Sequence, residues 1–108
     1  MIKIVDNKIY LTRGDSAILK VEIRDTDGEE YTPEDTDTVI MTFKKTTSDK
    51  EPIFTHEIDG GILMIEPEDT ADLAYGDYVY DCQLKTEAGF VQTFIPPSLF
   101  RVLDEVTR

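Results

Sequence analysis

The sequence is poor in the residues that build covalent or metal-held frameworks. Its 108 residues include one cysteine, Cys82, one histidine, His56, and no tryptophan. A single cysteine cannot form an intramolecular disulfide, and it excludes a zinc site built on several thiolates. This cysteine usage is typical of a protein that folds in a reducing compartment.

Basic residues are also scarce. The chain has 11 lysines and arginines against 23 acidic residues, which gives a formal net charge of -12. Such a charge repels nucleic-acid phosphates and anionic lipid surfaces, so we expect neither nucleic acid nor a membrane among the direct partners. The acids are scattered along the chain. A solvated surface is the simpler interpretation, and an acidic patch for a basic partner is the alternative.

Long apolar runs are missing as well. No segment approaches the roughly 18 continuous apolar residues of a membrane-spanning helix, and the N-terminal residues lack the apolar stretch of a signal peptide. We therefore expect the protein to be made and folded in the cytoplasm.

What the sequence does contain is apolar alternation with a period of two. Clear examples fall within residues 16–24, 38–45 and 78–85, where every second side chain is apolar. This pattern predicts half-buried strands, and about seven or eight of them fit between the turn signals. We expect one all-β domain over residues 1–108, an antiparallel β-sandwich. Because no crossover helix is available, we expect no parallel sheet.

Three local features refine this prediction. Asp59-Gly60-Gly61 predicts a tight hairpin that pairs a strand at 53–58 with one at 62–66. Residues 67–73 predict the one short helix, with Pro67 near its start and acidic residues in its first turn. Pro96 and Pro97 cannot donate ladder hydrogen bonds, so the last strand has an edge, a bulge or a change of sheet there.

The segment from Asp72 to Cys82 is the most informative. A short turn leads into a strand of alternating large residues, which resembles the corner before strand F of an immunoglobulin-like domain. Tyr78 is the candidate for the corner tyrosine, with Leu73 as core anchor and Gly76 as turn residue. We expect a structural role for Tyr78, with a binding tyrosine as the alternative, and we expect Cys82 to be a small buried hydrophobe.

Few residues in the sequence suggest a metal site or a catalytic site. Residues 25–30 resemble part of a calcium loop, but Glu30 and Thr36 stand where an EF-hand needs glycine and a bidentate acid, so we predict no metal site. A Cys82–His56 dyad would lack an oriented third group, and we expect His56 on the surface of its strand. We predict no enzyme activity and no cofactor.

The order of these features resembles the immunoglobulin-like N-terminal domain family of baseplate upper proteins from phages of Gram-positive bacteria. The segments that carry the resemblance are residues 10–16, 21–25 with the turn at 27–28, 61–70, 73–84 and 100–102. The resemblance implies a non-enzymatic phage or prophage structural protein, made in the bacterial cytoplasm and part of a virion. It implies a tail, baseplate or neck accessory module.

Partners of such a module would be other phage structural proteins, or further copies of this chain in a homo-oligomer. Ile2, Ile4, Phe94 and Ile95 are the candidate assembly edges, because exposed apolar strand edges pair with other chains. The alternative is that both segments pack on the core of their own domain. The alternative function is a carbohydrate- or protein-binding sandwich of a bacterial surface system, for which Tyr31 and Tyr75 are the loop aromatics.

Overall fold

The computed structural model of this chain describes residues 2–5 as backbone and residues 7–24 and 27–105 with their side chains. The elements, in chain order, are β1 (Ile2–Val5), β2 (Lys8–Thr12), β3 (Ala17–Lys20), β4 (Thr38–Lys44), β5 (Phe54–Glu57), β6 (Ile62–Ile65), α1 (Pro67–Ala71), β7 (Gly76–Lys85) and β8 (Val91–Leu103). The all-β prediction is confirmed. No helix in the described part of the chain has the length and apolar character needed to cross a membrane.

The strands form two sheets. One has six strands in the order β1-β2-β8-β7-β4-β5, and the other has two, β3 and β6. Every pair is antiparallel except β2 and β8, which pair in parallel from Ile9 opposite Phe100 to Thr12 opposite Leu103. This one parallel pair lies in an otherwise antiparallel sheet and was not predicted. The two strands lie near opposite ends of the chain, and the strands between them serve as the connection.

The predicted hairpin at Asp59-Gly60-Gly61 is also wrong. The chain does turn there, but β5 pairs with β4 and β6 pairs with β3, so the turn carries the chain from one sheet to the other. Leu63 and Ile65 explain the crossing, since both are fully buried and face the six-stranded sheet. Pairing β6 beside β5 would extend one layer and leave the core without a second one.

The core lies between the two sheets and follows the alternation in the sequence. Phe43 is at its centre, with ring centroids 4.3 Å from Phe54, 4.9 Å from Phe100 and 5.5 Å from Tyr80. Cys82 is buried among these residues, as expected. In a chain without tryptophan, this cluster of offset and edge-to-face rings fills the centre of the core.

The two prolines of β8 lie at a bulge. Tyr80 is opposite Ser98, whereas Cys82 is opposite Ile95, so β8 has one residue more than β7 across this step. β2 reaches only as far as Phe100, which leaves the segment before it paired on one side. Pro96 and Pro97 therefore lie at a bulge, in a part of β8 that pairs with β7 alone, and at such a place the ladder tolerates residues without an N–H donor. The bulge and edge interpretations both hold.

The short helix begins where predicted and ends earlier, at Ala71. The backbone N–H of Glu66 donates to the Asp69 carboxylate at 2.8 Å, which holds the first turn. Thr70 is completely buried, and its hydroxyl accepts a hydrogen bond from the N–H of Gly14 at 2.8 Å. The helix connects β6 in the small sheet to β7 in the large one, and this hydrogen bond attaches it to the turn between β2 and β3.

Candidate functional site

The outward side of the two-stranded sheet carries exposed apolar side chains. Ile18 is 67% exposed, Met64 50% and Ile62 44%. Ile18 is directly opposite Met64, and Lys20 is directly opposite Ile62. We call these four residues the β3–β6 face.

Alternation explains why these side chains point outward. In β3, Ala17 and Leu19 are buried and Ile18 and Lys20 are exposed, and β6 alternates in the same way. A solvated sheet face normally has polar side chains opposite its buried face. Three large apolar side chains next to each other on such a face are typical of a contact surface.

The edges of this sheet differ in how much of their backbone is satisfied. The N–H of Val21 donates to the carbonyl oxygen of Gly61 at 2.7 Å, which makes those residues a hydrogen-bonded pair. Because such pairs alternate along an antiparallel ladder, the backbone groups of Ile18 and Lys20 point away from β6. Within the described residues, no hydrogen bond reaches these groups, so the outer edge of β3 is open.

The outer edge of β6 is largely closed. The N–H of Ile62 donates to the carbonyl oxygen of Asp59 at 3.2 Å, and the N–H of Glu66 donates to the Asp69 carboxylate at 2.8 Å. Between them, the carbonyl oxygen of Ile62 and both backbone groups of Met64 point outward without a described partner. A partner strand therefore has a longer template along β3 than along β6.

The predicted corner residues lie together between α1 and β7. The hydroxyl of Tyr78 donates to the carbonyl oxygen of Ala74 at 2.7 Å, and Leu73 packs against the core. Gly76 opens β7 with a φ of 136°, a value that side-chain-bearing residues rarely adopt. Tyr80, two residues before Cys82, instead donates to the carbonyl oxygen of Asn7.

The predicted assembly edges lie at two separate places. Ile2 and Ile4 belong to β1, the outermost strand of the six-stranded sheet, of which the backbone alone is described. Phe94 and Ile95 lie in the first half of β8, where they are half-buried and pack against the core. Their assignment to an assembly surface stays a prediction.

The structure does not bring Cys82 and His56 together as a dyad. Burial raises the pKa of the Cys82 thiol to about 12, so it is protonated at neutral pH. Met41 is opposite His56 on one side and opposite Cys82 on the other, and its side chain separates the two. His56 was expected on the surface, but its Nε2 lies 2.8 Å from Asp69 Oδ2, because β5 presents this side chain toward α1.

No group of three metal-ligating side chains occurs among the residues described with side chains. The predicted loop at 25–30 begins with Asp25 and Thr26, which lie outside the described residues.

Sequence reasoning missed two features. Arg13 donates to Glu105 at 2.8 and 3.0 Å and to the Leu73 carbonyl at 3.2 Å, and its guanidinium lies 4.3 Å from the ring centroid of Tyr75. This hub joins distant segments, so no local pattern could have indicated it. Part of the β3–β6 face could have been predicted, because the alternation in residues 16–24 puts Ile18 on the same side as Lys20, opposite the buried Ala17 and Leu19.

Comparisons with family models, with curated proteins and with solved structures found no match for this chain.

Proposed function

We propose that this chain is a non-enzymatic structural protein of a phage or prophage, a tail, baseplate or neck accessory module that acts through protein–protein contacts. The single observation that carries the proposal is the β3–β6 face, where apolar side chains and an open strand edge coincide. Exposed strand edges are normally protected by charge, proline or a covering segment. An edge left open beside an apolar surface is suited to a partner.

The arrangement of strands supports an immunoglobulin-like assignment within this proposal. The order β8-β7-β4-β5, with β3 and β6 in the opposite layer, follows the G-F-C-C′ order of variable-type domains, with strands B and E facing it. The Tyr78 hydroxyl donates to a backbone carbonyl four residues upstream at the start of β7, which resembles the hydrogen bond of a tyrosine corner, whereas Tyr80 has the position two residues before Cys82. In this topology the outer edge of β3 is available to another chain.

The alternative carbohydrate-binding function has less support. The hydroxyl of Tyr31 donates to Asp37 at 2.5 Å, and the ring of Tyr75 is stacked with Arg13. Sugar-binding sandwiches usually offer aromatic faces that are free to stack on a ligand. Both loop aromatics are instead engaged in contacts within the chain.

The test is whether the chain is part of assembled particles. Particles from the strain that carries the gene would be induced, purified on a density gradient and analysed by mass spectrometry. We expect this chain in the particle fraction, at a constant ratio to the tail proteins across independent preparations. Its recovery exclusively outside the particles would contradict the proposal.

A pair of variants links incorporation to the surface. Ile18→Lys places a charge on the β3–β6 face and should remove the chain from particles. Val91→Lys is the matched control, because Val91 is 50% exposed but lies on β8, away from this face. Equal incorporation of both variants would show that the β3–β6 face is not the contact surface.

A further inference from the structure

We propose that the occupant of the open β3 edge is a second copy of this chain, paired antiparallel about a two-fold axis at Ile18. The inference rests on the proposed function and deepens it by naming the partner. The pairing would join the two small sheets into one four-stranded sheet with the order β6-β3-β3-β6.

The direction of the β3 backbone groups suits this pairing. In an antiparallel pair of strands, every second residue directs its N–H and C=O groups toward the other strand. The N–H and C=O groups of Ile18 and Lys20 point away from β6, and the same alternation directs the backbone groups of Ser16 to that side. Centred on Ile18, the two-fold axis places Ile18 opposite Ile18 of the second copy, and Lys20 opposite Ser16.

The side chains match across this axis. Extending the β3–β6 register by one residue beyond Ala17 and Ile65 puts Ser16 beside Glu66. The central row then reads Met64, Ile18, Ile18 and Met64, an unbroken apolar row across both copies. Each flanking row reads Ile62 and Lys20 of one copy, then Ser16 and Glu66 of the other. Because Ser16 is small, Lys20 can extend over it toward Glu66 of the second copy.

Charge favours this edge for a second copy. Two chains with a net charge of -12 repel each other, so self-association needs a contact where acidic residues do not face one another. Residues 15–24 contain two acidic and two basic residues, Asp15, Glu22, Lys20 and Arg24. The Glu22 carboxylate already accepts from Arg24 at 2.8 Å. Of the other two, Lys20 lies near the Glu66 of the second copy in both flanking rows.

The first test uses proline on strand edges. Ile18→Pro removes an N–H that points away from β6, so the β3–β6 ladder keeps its own hydrogen bonds. Thr55→Pro is the matched control. Because the N–H of Ile58 donates to the Val39 carbonyl at 2.8 Å, alternation directs the N–H of Thr55 toward the free side of β5. Both variants thus lose one outward donor from an edge strand.

Light scattering over a concentration series up to about 1 mM would measure mass, since edge pairing of this size is a weak contact. We expect the average mass of wild type and Thr55→Pro to rise with concentration from the 12.3 kDa monomer toward twice that mass. Ile18→Pro should stay monomeric while keeping the wild-type circular dichroism spectrum. Wild type that stays monomeric throughout, or Ile18→Pro that dimerises like wild type, would overturn the inference.

A second pair of variants leaves the backbone untouched. Lys20→Glu and Lys8→Glu change the net charge equally, but Lys8 is an exposed residue of β2, in the other sheet. Lys20→Glu should weaken dimerisation about tenfold, because it sets a carboxylate against the partner's Glu66. Equal dissociation constants for the two variants would contradict the Ile18-centred pairing. A monomer that is still incorporated in particles would reject this inference and leave the proposed function standing.

Discussion

The hydroxyl of Tyr78 donates a hydrogen bond to the carbonyl oxygen of Ala74 at 2.7 Å, across the turn that leads into β7. Tyr78→Phe removes this donor and leaves the carbonyl partly buried without it. We expect the free energy of unfolding to fall by about 1 kcal/mol, measured by chemical denaturation. Tyr10→Phe is the control, because the contact of Tyr10 is through its ring, 5.6 Å from the Arg101 guanidinium. Equal effects of the two variants would refute the corner assignment.

Asp81 is a residue whose charge costs stability. Burial on the sheet raises the pKa of its carboxyl above the ordinary value, and Lys44 opposes the shift only in part. The folded state therefore binds the proton more tightly than the unfolded state. The cost is absent below the unfolded pKa and fully present above the folded one. Asp81→Asn should raise the free energy of unfolding at pH 7 by about 0.5 kcal/mol.

The pH dependence of this gain provides its control. The gain from Asp81→Asn should vanish near pH 3, where the carboxyl is protonated in both states. Asp77→Asn removes the same negative charge but should change stability in the opposite direction, because a hydrogen bond from Arg101 lowers the pKa of Asp77. Its substitution should destabilise the protein at pH 7 and have no effect once the pH falls below the folded pKa. A gain for both variants at pH 7 would indicate relief of general repulsion instead.

At the scale of elements, local patterns predicted what local forces determine. The alternation in β4 and β7, the helix at Pro67 and the bulge at Pro96 and Pro97 all follow from side-chain period or from missing donors. Which strands pair follows from the core as a whole. The parallel contact of β2 with β8 and the change of sheet after β5 depend on burial between distant segments, and no short window contains that information.

The same division applies to the candidate site. Ile18 was recognisable as an outward apolar residue from β3 alone. Its neighbours Ile62 and Met64 became part of the same face only through the pairing of β3 with β6, which the predicted hairpin had assigned differently. The sequence therefore indicated one member of the face, whereas the register brought the others beside it.

At the scale of the whole molecule, a large negative charge and an open apolar edge act in opposite directions. The charge keeps copies apart at a distance, and the balanced segment around β3 provides a place where contact is tolerated. A weak contact of this kind would favour assembly at high local concentration, as in a particle, over association in dilute solution. The central claim is that the free edge of β3 is the surface at which this chain meets its partner.

Residue-resolved amide hydrogen exchange at low and high protein concentration tests that claim most directly. The amides of Ile18 and Lys20 should exchange rapidly in dilute protein and become protected at high concentration. The amide of Thr55, on the outer edge of β5, should exchange rapidly under both conditions. Exchange at Ile18 and Lys20 that does not change with concentration would contradict the account.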